Sequence, residues 1–536
     1  MFGHLCPRVV ALLEKAIRQE RLVSLVLMGF LLATPFVGVS GPLPTQGFQP
    51  ILNSGASKLA YTDSMNGVLN IFILDLTTGV SQRITTLPED ASKSANHSYA
   101  PRFLGQSNAL VFESLANGLI SADDNNRSDV FIHRLEDGRN ESISLLANGN
   151  AALGSAQNVE VSADGHWIAF RSDATGLIPL GKDPYTFYKT YLYHTPSRTF
   201  TFASTNRLGR SPLGSTFVGP LSADGQRLLF RCETNDITRA VTSGVITPWY
   251  WRDNRSGSIS MIRLRTNGTL VAIPFECHAL SGDGRFAIGS STIPNASSGF
   301  SPGIYRVSLD TNSAALGHGF SNSTGIPNTV PRFTSVHDVQ VNHDGSRIVV
   351  SGFLRTNAAT VTTQRGAILW EPNVSKMTPL LRPMESIPSG AVHSVTLSPQ
   401  GDRIAYVHSP SGLWVVDSAF KPIFGPVKVD DFPAPSFSPD GRWLTFQSPS
   451  PSATPQAPGR ALFVIDLEAA AIPTLSIQST GVQFVIRWDS QIPNMNLEFA
   501  DSLKGDGWQK VSPTEAGRYV FTPSDSAIGV FRLSTQ

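Results

Sequence analysis

The sequence predicts an all-β protein: an eight-bladed β-propeller followed by a small β-sandwich. Three observations predict this fold class. A strand, a polar turn and a second strand recur eight times, at intervals of 40 to 61 residues. Glycine and proline are frequent, at 45 and 37 of 536 residues, which is typical of many short elements joined by turns. After residue 472 the repeat stops and a different pattern of short strands begins.

Residues 1–40 predict an export signal or a signal anchor. Four basic residues between positions 8 and 21 precede an uncharged apolar run at 22–39, a layout that directs export. Small residues at Gly38 and Ser40 permit cleavage before Gly41, whereas the length of the run also fits an uncleaved anchor in the inner membrane. We therefore expect a periplasmic, cell-surface or secreted protein that meets a membrane only through this segment.

Residues 41–472 contain the repeats. Good copies read SADGHWIAF at 162–170 and SPDGRWLTF at 438–446. One residue per copy, at or near the turn glycine, serves as its anchor: Ala56, Ser107, Gly165, Gly225, Gly284, Gly345, Gly401 and Gly441. About 40 to 60 residues accommodate four strands, which is the size of a propeller blade. Because the first two copies are degenerate, a seven-bladed ring is the alternative.

The Asp-Gly pair is predicted to form the hairpin turn between the two innermost strands of each blade. Glycine tolerates positive φ there, and Asp or Ser side chains hydrogen-bond the turn backbone. These turns, followed by an apolar strand, resemble the WD40-like repeats of the TolB type, which propellers of prolyl oligopeptidase relatives and oligogalacturonate lyases share. The resemblance covers 48–472 and implies the fold, but the same repeat serves binding scaffolds and enzymes. The segment before the first blade is too short for the amino-terminal α/β domain of TolB, so the resemblance does not extend to TolB's partners.

Residues 473–536 are predicted to form a second, small domain. Strand patterns such as QFVIRW and a closing VFRL resemble the β-sandwich modules that end many secreted bacterial proteins. Trp488, Phe499, Trp508 and Phe531 are expected to fill its core, with a carbohydrate platform as the alternative.

The net charge and the sequence motifs limit the functions that the chain can have. The formal net charge of +1 gives no electrostatic basis for binding nucleic acid, so we expect a protein or carbohydrate ligand on a propeller face. A binding or scaffold module is the favoured function, and a structural component of an envelope assembly is one alternative. The other alternative is a channel-site enzyme of the polysaccharide lyase or glycosidase kind. That chemistry needs a base and a cationic partner, and no Lys or Arg lies eight residues before any anchor.

A peptidase is not supported. The segment GFSPG at 299–303 matches the G-x-S-x-G pattern of a hydrolase nucleophile. Pro302 follows the serine and has no N–H to offer an oxyanion.

Calcium is the one cofactor for which the sequence offers an oxygen-rich loop. Asp123, Asn125 and Asp129 stand at positions one, three and seven of DDNNRSD, a spacing that suits a loop wrapped around Ca²⁺. The alternative is a set of turn-forming residues at the entrance of a strand, because Arg127 stands at the fifth position, where a calcium loop usually offers oxygen.

Position within the blade predicts a second metal site. Three consecutive blades have Glu276, His337 and His393 eight residues before the anchor, at the start of the innermost strand. These residue types suit a divalent metal at one mouth of the channel, and the resemblance to oligogalacturonate lyases implies a metal in the same kind of funnel. Hydrogen bonding to neighbouring blades is the alternative role for both histidines.

Two cysteines lie on adjacent blades. Cys232 stands seven residues after the anchor Gly225, and Cys277 stands seven residues before the anchor Gly284. An exported protein could oxidise them to a disulfide, and two buried free thiols are the equal alternative.

Overall fold

The computed structural model describes residues 48–467 and six strands between 476 and 535. Its longer internal gaps are at 88–95, 178–186, 239–246, 292–302, 320–331, 356–362, 381–389 and 450–459. The predicted export segment at 22–39 lies outside the described residues, as do most of the GFSPG segment and both Trp488 and Trp508. Within the described part of the chain, no helix has the length and apolar character needed to cross a membrane.

The first four blades are antiparallel sheets of four strands, each in chain order from its innermost to its outermost strand. Their bounds are β1 (Phe48–Leu52), β2 (Lys58–Met65), β3 (Val68–Asp75), β4 (Ser81–Arg83); β5 (Ser98–Phe103), β6 (Ala109–Ser114), β7 (Asp129–Arg134), β8 (Asn140–Ser142); β9 (Ala156–Val161), β10 (Trp167–Ser172), β11 (Lys189–His194), β12 (Thr199–Phe202); and β13 (Thr216–Leu221), β14 (Arg227–Cys232), β15 (Trp249–Asp253), β16 (Ile259–Met261).

A small hairpin separates blades 4 and 5, and the remaining blades repeat the pattern, with three described strands in blade 8. The bounds are β17 (Leu264–Thr266), β18 (Thr269–Val271); β19 (Glu276–Leu280), β20 (Phe286–Ser291), β21 (Gly303–Ser308), β22 (Ala314–Gly319); β23 (Arg332–Val341), β24 (Ile348–Arg355), β25 (Thr363–Glu371), a 3₁₀ turn (Pro372–Val374), β26 (Lys376–Leu380); β27 (Val392–Leu397), β28 (Arg403–His408), β29 (Gly412–Asp417), β30 (Pro422–Val427); and β31 (Ser436–Phe437), β32 (Trp443–Pro449), β33 (Arg460–Asp466). The predicted count of eight blades is confirmed.

The ring closes between blade 8 and blade 1. Strand β1 contacts β31 and β32, and Leu52 and Tyr61 of blade 1 share a buried apolar cluster with Trp443 and Val464 of blade 8. Closure matters because each blade has two apolar faces, and a neighbour on both sides removes them from water.

The Asp-Gly turns have the predicted local chemistry. In blade 3 the Ser162 hydroxyl donates to Asp164 Oδ1 at 2.5 Å and accepts from the Trp167 N–H at 3.0 Å. Gly165 has a φ of 74°, a left-handed conformation that glycine adopts without steric cost. The turn is therefore fixed by residues within the hairpin itself.

Backbone hydrogen bonds also join successive turns. The Asp164 N–H donates to the Ala223 carbonyl at 3.1 Å, and the Ala223 N–H donates to the Gly282 carbonyl at 2.7 Å. Two further bonds of 2.8 and 2.9 Å continue the chain of contacts through His343 to blade 7. We call this end of the channel the turn end, and the opposite end, where the innermost strands begin, the loop end.

The predicted second domain contains two described antiparallel sheets of three strands. One has the order β34 (Ser476–Ser479), β35 (Phe484–Arg487), β38 (Arg518–Phe521), and the other β37 (Gln509–Lys510), β36 (Met495–Ala500), β39 (Val530–Thr535). The β-sandwich assignment stays a prediction.

Candidate functional site

Two arginines meet one aromatic ring at the loop end of blades 3 and 4. The guanidinium carbon of Arg171 lies 5.0 Å from the centre of the Phe217 ring, and that of Arg231 lies 4.7 Å from the same centre. Arg171 is also 4.6 Å from the centre of the Tyr188 ring. Strands β10 and β14 supply the arginines, and β13 supplies Phe217, so the cluster spans adjacent blades. We call Arg171, Tyr188, Phe217 and Arg231 the arginine cluster.

Within the described part of the chain, most side-chain donors of the arginine cluster are unused. The Arg171 side chain forms no hydrogen bond and no ion pair with a described residue, and the Nε atoms of Arg171 and Arg231 are buried without an acceptor. Arg231 Nη1 approaches Glu276 Oε2 at 3.5 Å, a contact too exposed to hold either side chain firmly. A guanidinium offers a planar fork of donors that matches a carboxylate or a phosphate.

Two acidic residues lie near these arginines, Glu113 on the second strand of blade 2 and Glu160 on the first strand of blade 3, and the charges of Arg102 and Arg171 act on Glu113. Burial raises the pKa of Glu113, whose Oε1 accepts the Val159 N–H at 3.0 Å. Burial likewise raises the pKa of Glu160, and the charge of Arg102 partly opposes this shift. Arg102 and Glu160 are each five residues before their anchors, and therefore lie at the same height on adjacent blades.

Exposed apolar side chains also lie at the loop end. Leu153, Phe187, Leu208 and Leu213 are 86%, 39%, 66% and 54% exposed. All four precede or connect strands at the loop end of blades 2 to 4, the region that carries the arginine cluster. The other two exposed large apolar side chains among the described residues, Val80 and Val374, lie at the turn end. The loop end therefore carries most of them and is the better candidate for a binding surface.

The three predicted calcium ligands lie in one loop. Asp123 and Asp129 are buried, and Asn125 Nδ2 donates to Asp129 Oδ2 and to the Ala152 carbonyl, both at 2.9 Å. Asn125 Oδ1 accepts from the Arg127 N–H at 2.6 Å, so the amide acts as a turn former in this structure. Burial, and then the Asp129 charge, raise the pKa of Asp123 to about 7.

The structure does not bring the other three predicted metal ligands together. Within the described ranges, no three His, Cys, Asp or Glu side chains lie close enough to share a metal. His337 Nε2 lies 3.3 Å from Ser335 Oγ, and His393 Nδ1 lies 3.1 Å from Ser394 Oγ. The reason is the place of a β-bulge: in blade 6 the bulge falls at His337, between Val336 and Asp338, whereas Glu276 and His393 of blades 5 and 7 are paired with Ser290 and Val407. One extra residue turns the His337 side chain away from the direction of its counterparts.

Cys232 and Cys277 are both free and buried, which favours the free-thiol alternative. Cys232 Sγ lies 3.4 Å from Thr234 Oγ1, and Cys277 Sγ donates to the Ile288 carbonyl at 3.5 Å. Burial raises the pKa of each thiol, so both stay protonated and unreactive at neutral pH.

The arginine cluster was missed because only the first strand of each blade was considered. Arg171 and Arg231 stand six residues after their anchors, on the second strand, directly opposite Gln157 and Phe217 of the first strand. Their common position, six residues after the anchor glycine, is the sequence signal that marks them.

No protein-family model matches the chain, and neither does any curated protein. Solved structures with a similar fold include an oligogalacturonate lyase in complex with manganese, with 14% identity, 81% of this chain and 99% of the other covered, and a TM-score of 0.41. They also include TolB from Acinetobacter baumannii, at 13% identity, 77% and 81% coverage and a TM-score of 0.30. The β-propeller domain of the Trilobed protease from Pyrococcus furiosus gives 10% identity, 70% and 94% coverage and a TM-score of 0.38. Likenesses at these values concern the fold alone.

Proposed function

We propose that this chain is an exported binding or scaffold module, whose loop end binds a protein or glycan ligand in the periplasm or at the cell surface. The observation that carries the proposal is the arginine cluster, in which two guanidinium groups lie over one ring with buried donors unused. An acidic group of the ligand would accept hydrogen bonds from Arg171 and Arg231.

Two features support an acidic ligand that also has apolar surface. Phe217 fixes the planes of both arginines, so little side-chain entropy is lost when an anion binds. The exposed leucines and Phe187 supply apolar contact area on the same end of the ring. A charge-assisted hydrogen bond contributes about 1.5–3 kcal/mol, and loss of one arginine should weaken binding by roughly 10- to 100-fold.

A binding array tests the proposal. The full chain is applied to acidic and neutral glycans and to acidic peptides, together with Arg171→Ala and Arg231→Ala. Arg139→Ala is the matched control, because Arg139 is exposed on the outer hairpin at the turn end. We expect selective retention of acidic probes by the wild type and the control, and loss of that retention in both cluster variants.

Equal binding of an acidic probe by the wild type and Arg171→Ala would place the ligand elsewhere and refute the site. Retention of neutral glycans alone would refute the acidic ligand. Stable co-purification of an envelope protein that survives both cluster substitutions would favour the structural-assembly alternative.

A channel-site lyase is the second candidate, and one observation favours it. Glu160 has a raised pKa and lies in the channel wall at the height of Arg102, so a carboxyl able to exchange a proton stands beside a cation. A polymer of uronic acids incubated with the protein should then yield unsaturated products, detected by ultraviolet absorbance. Absence of product, or equal product from Glu160→Gln, would remove this candidate.

A further inference from the structure

The loop between β6 and β7 of blade 2 buries two carboxylates that no basic side chain of the described residues neutralises. Asp123 is 3% exposed and Asp129 is 1% exposed. Asp129 is partly satisfied, because the Ser144 hydroxyl and the Asn125 amide donate to its two oxygens. Within the part of the chain that the structure describes, neither carboxylate forms an ion pair.

Asp123 is the more unusual of the two. Both of its side-chain oxygens are buried, and neither accepts a hydrogen bond of normal geometry from a described residue. Burial, and then the Asp129 charge, raise its pKa, whereas the nearby Asn125 N–H lowers it. An unpaired carboxylate withdrawn from water is costly unless a cation compensates it or a proton neutralises it.

Blades 1 and 3 have other residue types at the position that Asp129 occupies in blade 2. Asp129 is the first residue of the third strand of its blade and pairs with Ser114. The equivalent residue is Asn70 in blade 1, which pairs with Asp63, and Lys189 in blade 3, which pairs with Ser172. Lys189 is only 1% exposed, so blade 3 places a cationic side chain where blade 2 places a carboxylate. In blade 1 the amide of Asn70 accepts from Thr85 Oγ1 at 3.0 Å, as Asp129 accepts from Ser144.

We propose that Asp123 and Asp129 form a Ca²⁺ site at the loop end of blade 2. Two carboxylates with no described histidine or cysteine in a group with them suit a hard cation that prefers oxygen. Main-chain carbonyls, hydroxyl groups and water would complete the irregular shell that Ca²⁺ accepts and Mg²⁺ disfavours. A bound cation supplies the positive charge that both buried carboxylates need. The site is independent of the arginine cluster.

Calorimetric titration and thermal unfolding of the full chain, stripped with EDTA, test the site. We expect one Ca²⁺ per chain, a rise in Tm with CaCl₂, and a much smaller rise with MgCl₂. Asp123→Asn and Asp129→Asn should each weaken Ca²⁺ binding by more than about 100-fold, since loss of even an outer partner of a metal ligand reaches that range. Asp129→Asn reproduces the amide that blade 1 already accommodates at Asn70.

A second measurement separates cation binding from a structural role. In EDTA at about pH 8, above the raised pKa of Asp123, Asp123→Asn should melt above the wild type, because a buried charge that no cation compensates has been removed, yet gain nothing from CaCl₂. Glu136→Gln, an exposed change of the same charge in the same blade, should keep the wild-type response. A flat titration of the wild type with CaCl₂ would overturn the proposal. So would Ca²⁺ binding by both Asp variants with the affinity of the wild type, or a rise in Tm that is the same with Ca²⁺ and Mg²⁺.

Discussion

Packing between the turns of neighbouring blades can be measured with a pair of Gly→Ala substitutions. Gly225 of blade 4 has a φ of +65°, and a Cβ there would lie 2.1 Å from Cδ1 of Trp167 in blade 3. Gly138 has a φ of +69° and no atom within 4 Å of such a Cβ. Both substitutions therefore carry the left-handed cost of about 1–2 kcal/mol, whereas only Gly225→Ala adds overpacking of about 1–3 kcal/mol.

The difference between the two variants isolates the contact between blades. With unfolding entropy of roughly 2.1 cal/mol/K per residue over about 420 residues, each kcal/mol shifts Tm by roughly 1 °C. Gly225→Ala should therefore melt about 1–3 °C below Gly138→Ala in differential scanning calorimetry. Equal Tm values for the two variants would refute the reasoning, because they would show that Trp167 does not restrict the turn of the next blade.

Three further predictions follow from burial and from the export segment. Burial lowers the pKa of His133, so this side chain takes up a proton in the unfolded chain before it does so in the folded one as the pH falls. The free energy of unfolding of the wild type should therefore decline below about pH 6.5 more steeply than that of His133→Gln, and the same pH dependence in both proteins would contradict this. Cys232 and Cys277 should resist a thiol reagent in the native protein and both react after unfolding, whereas a mass two hydrogens short would reveal a disulfide. The protein should be exported, either with a mature chain that begins at Gly41 or with an uncleaved anchor at 22–39, and an intact Met1 on a cytosolic protein would contradict export.

The candidate site depends on distances that the sequence does not contain. Arg171, Phe217 and Arg231 come from three strands of two blades, and only the packing of blade 3 against blade 4 places both guanidinium groups over one ring. The Glu276, His337 and His393 pattern fails for the same reason: equal spacing from an anchor assumes that each bulge falls at the same place, and in β23 it falls at His337. Burial of Asp123 without a hydrogen-bond partner among the described residues is likewise visible only in the folded chain.

The sequence by itself determined the propeller, because the information for a blade is local. Ser162, Asp164 and Gly165 form a turn through contacts within a few residues, and the repeat of that turn predicts eight blades whatever their neighbours are. Tertiary structure alone decided which side chains meet at the loop end. Side chains there come from different blades, and a shift of one residue in a strand reverses the direction in which each of them points.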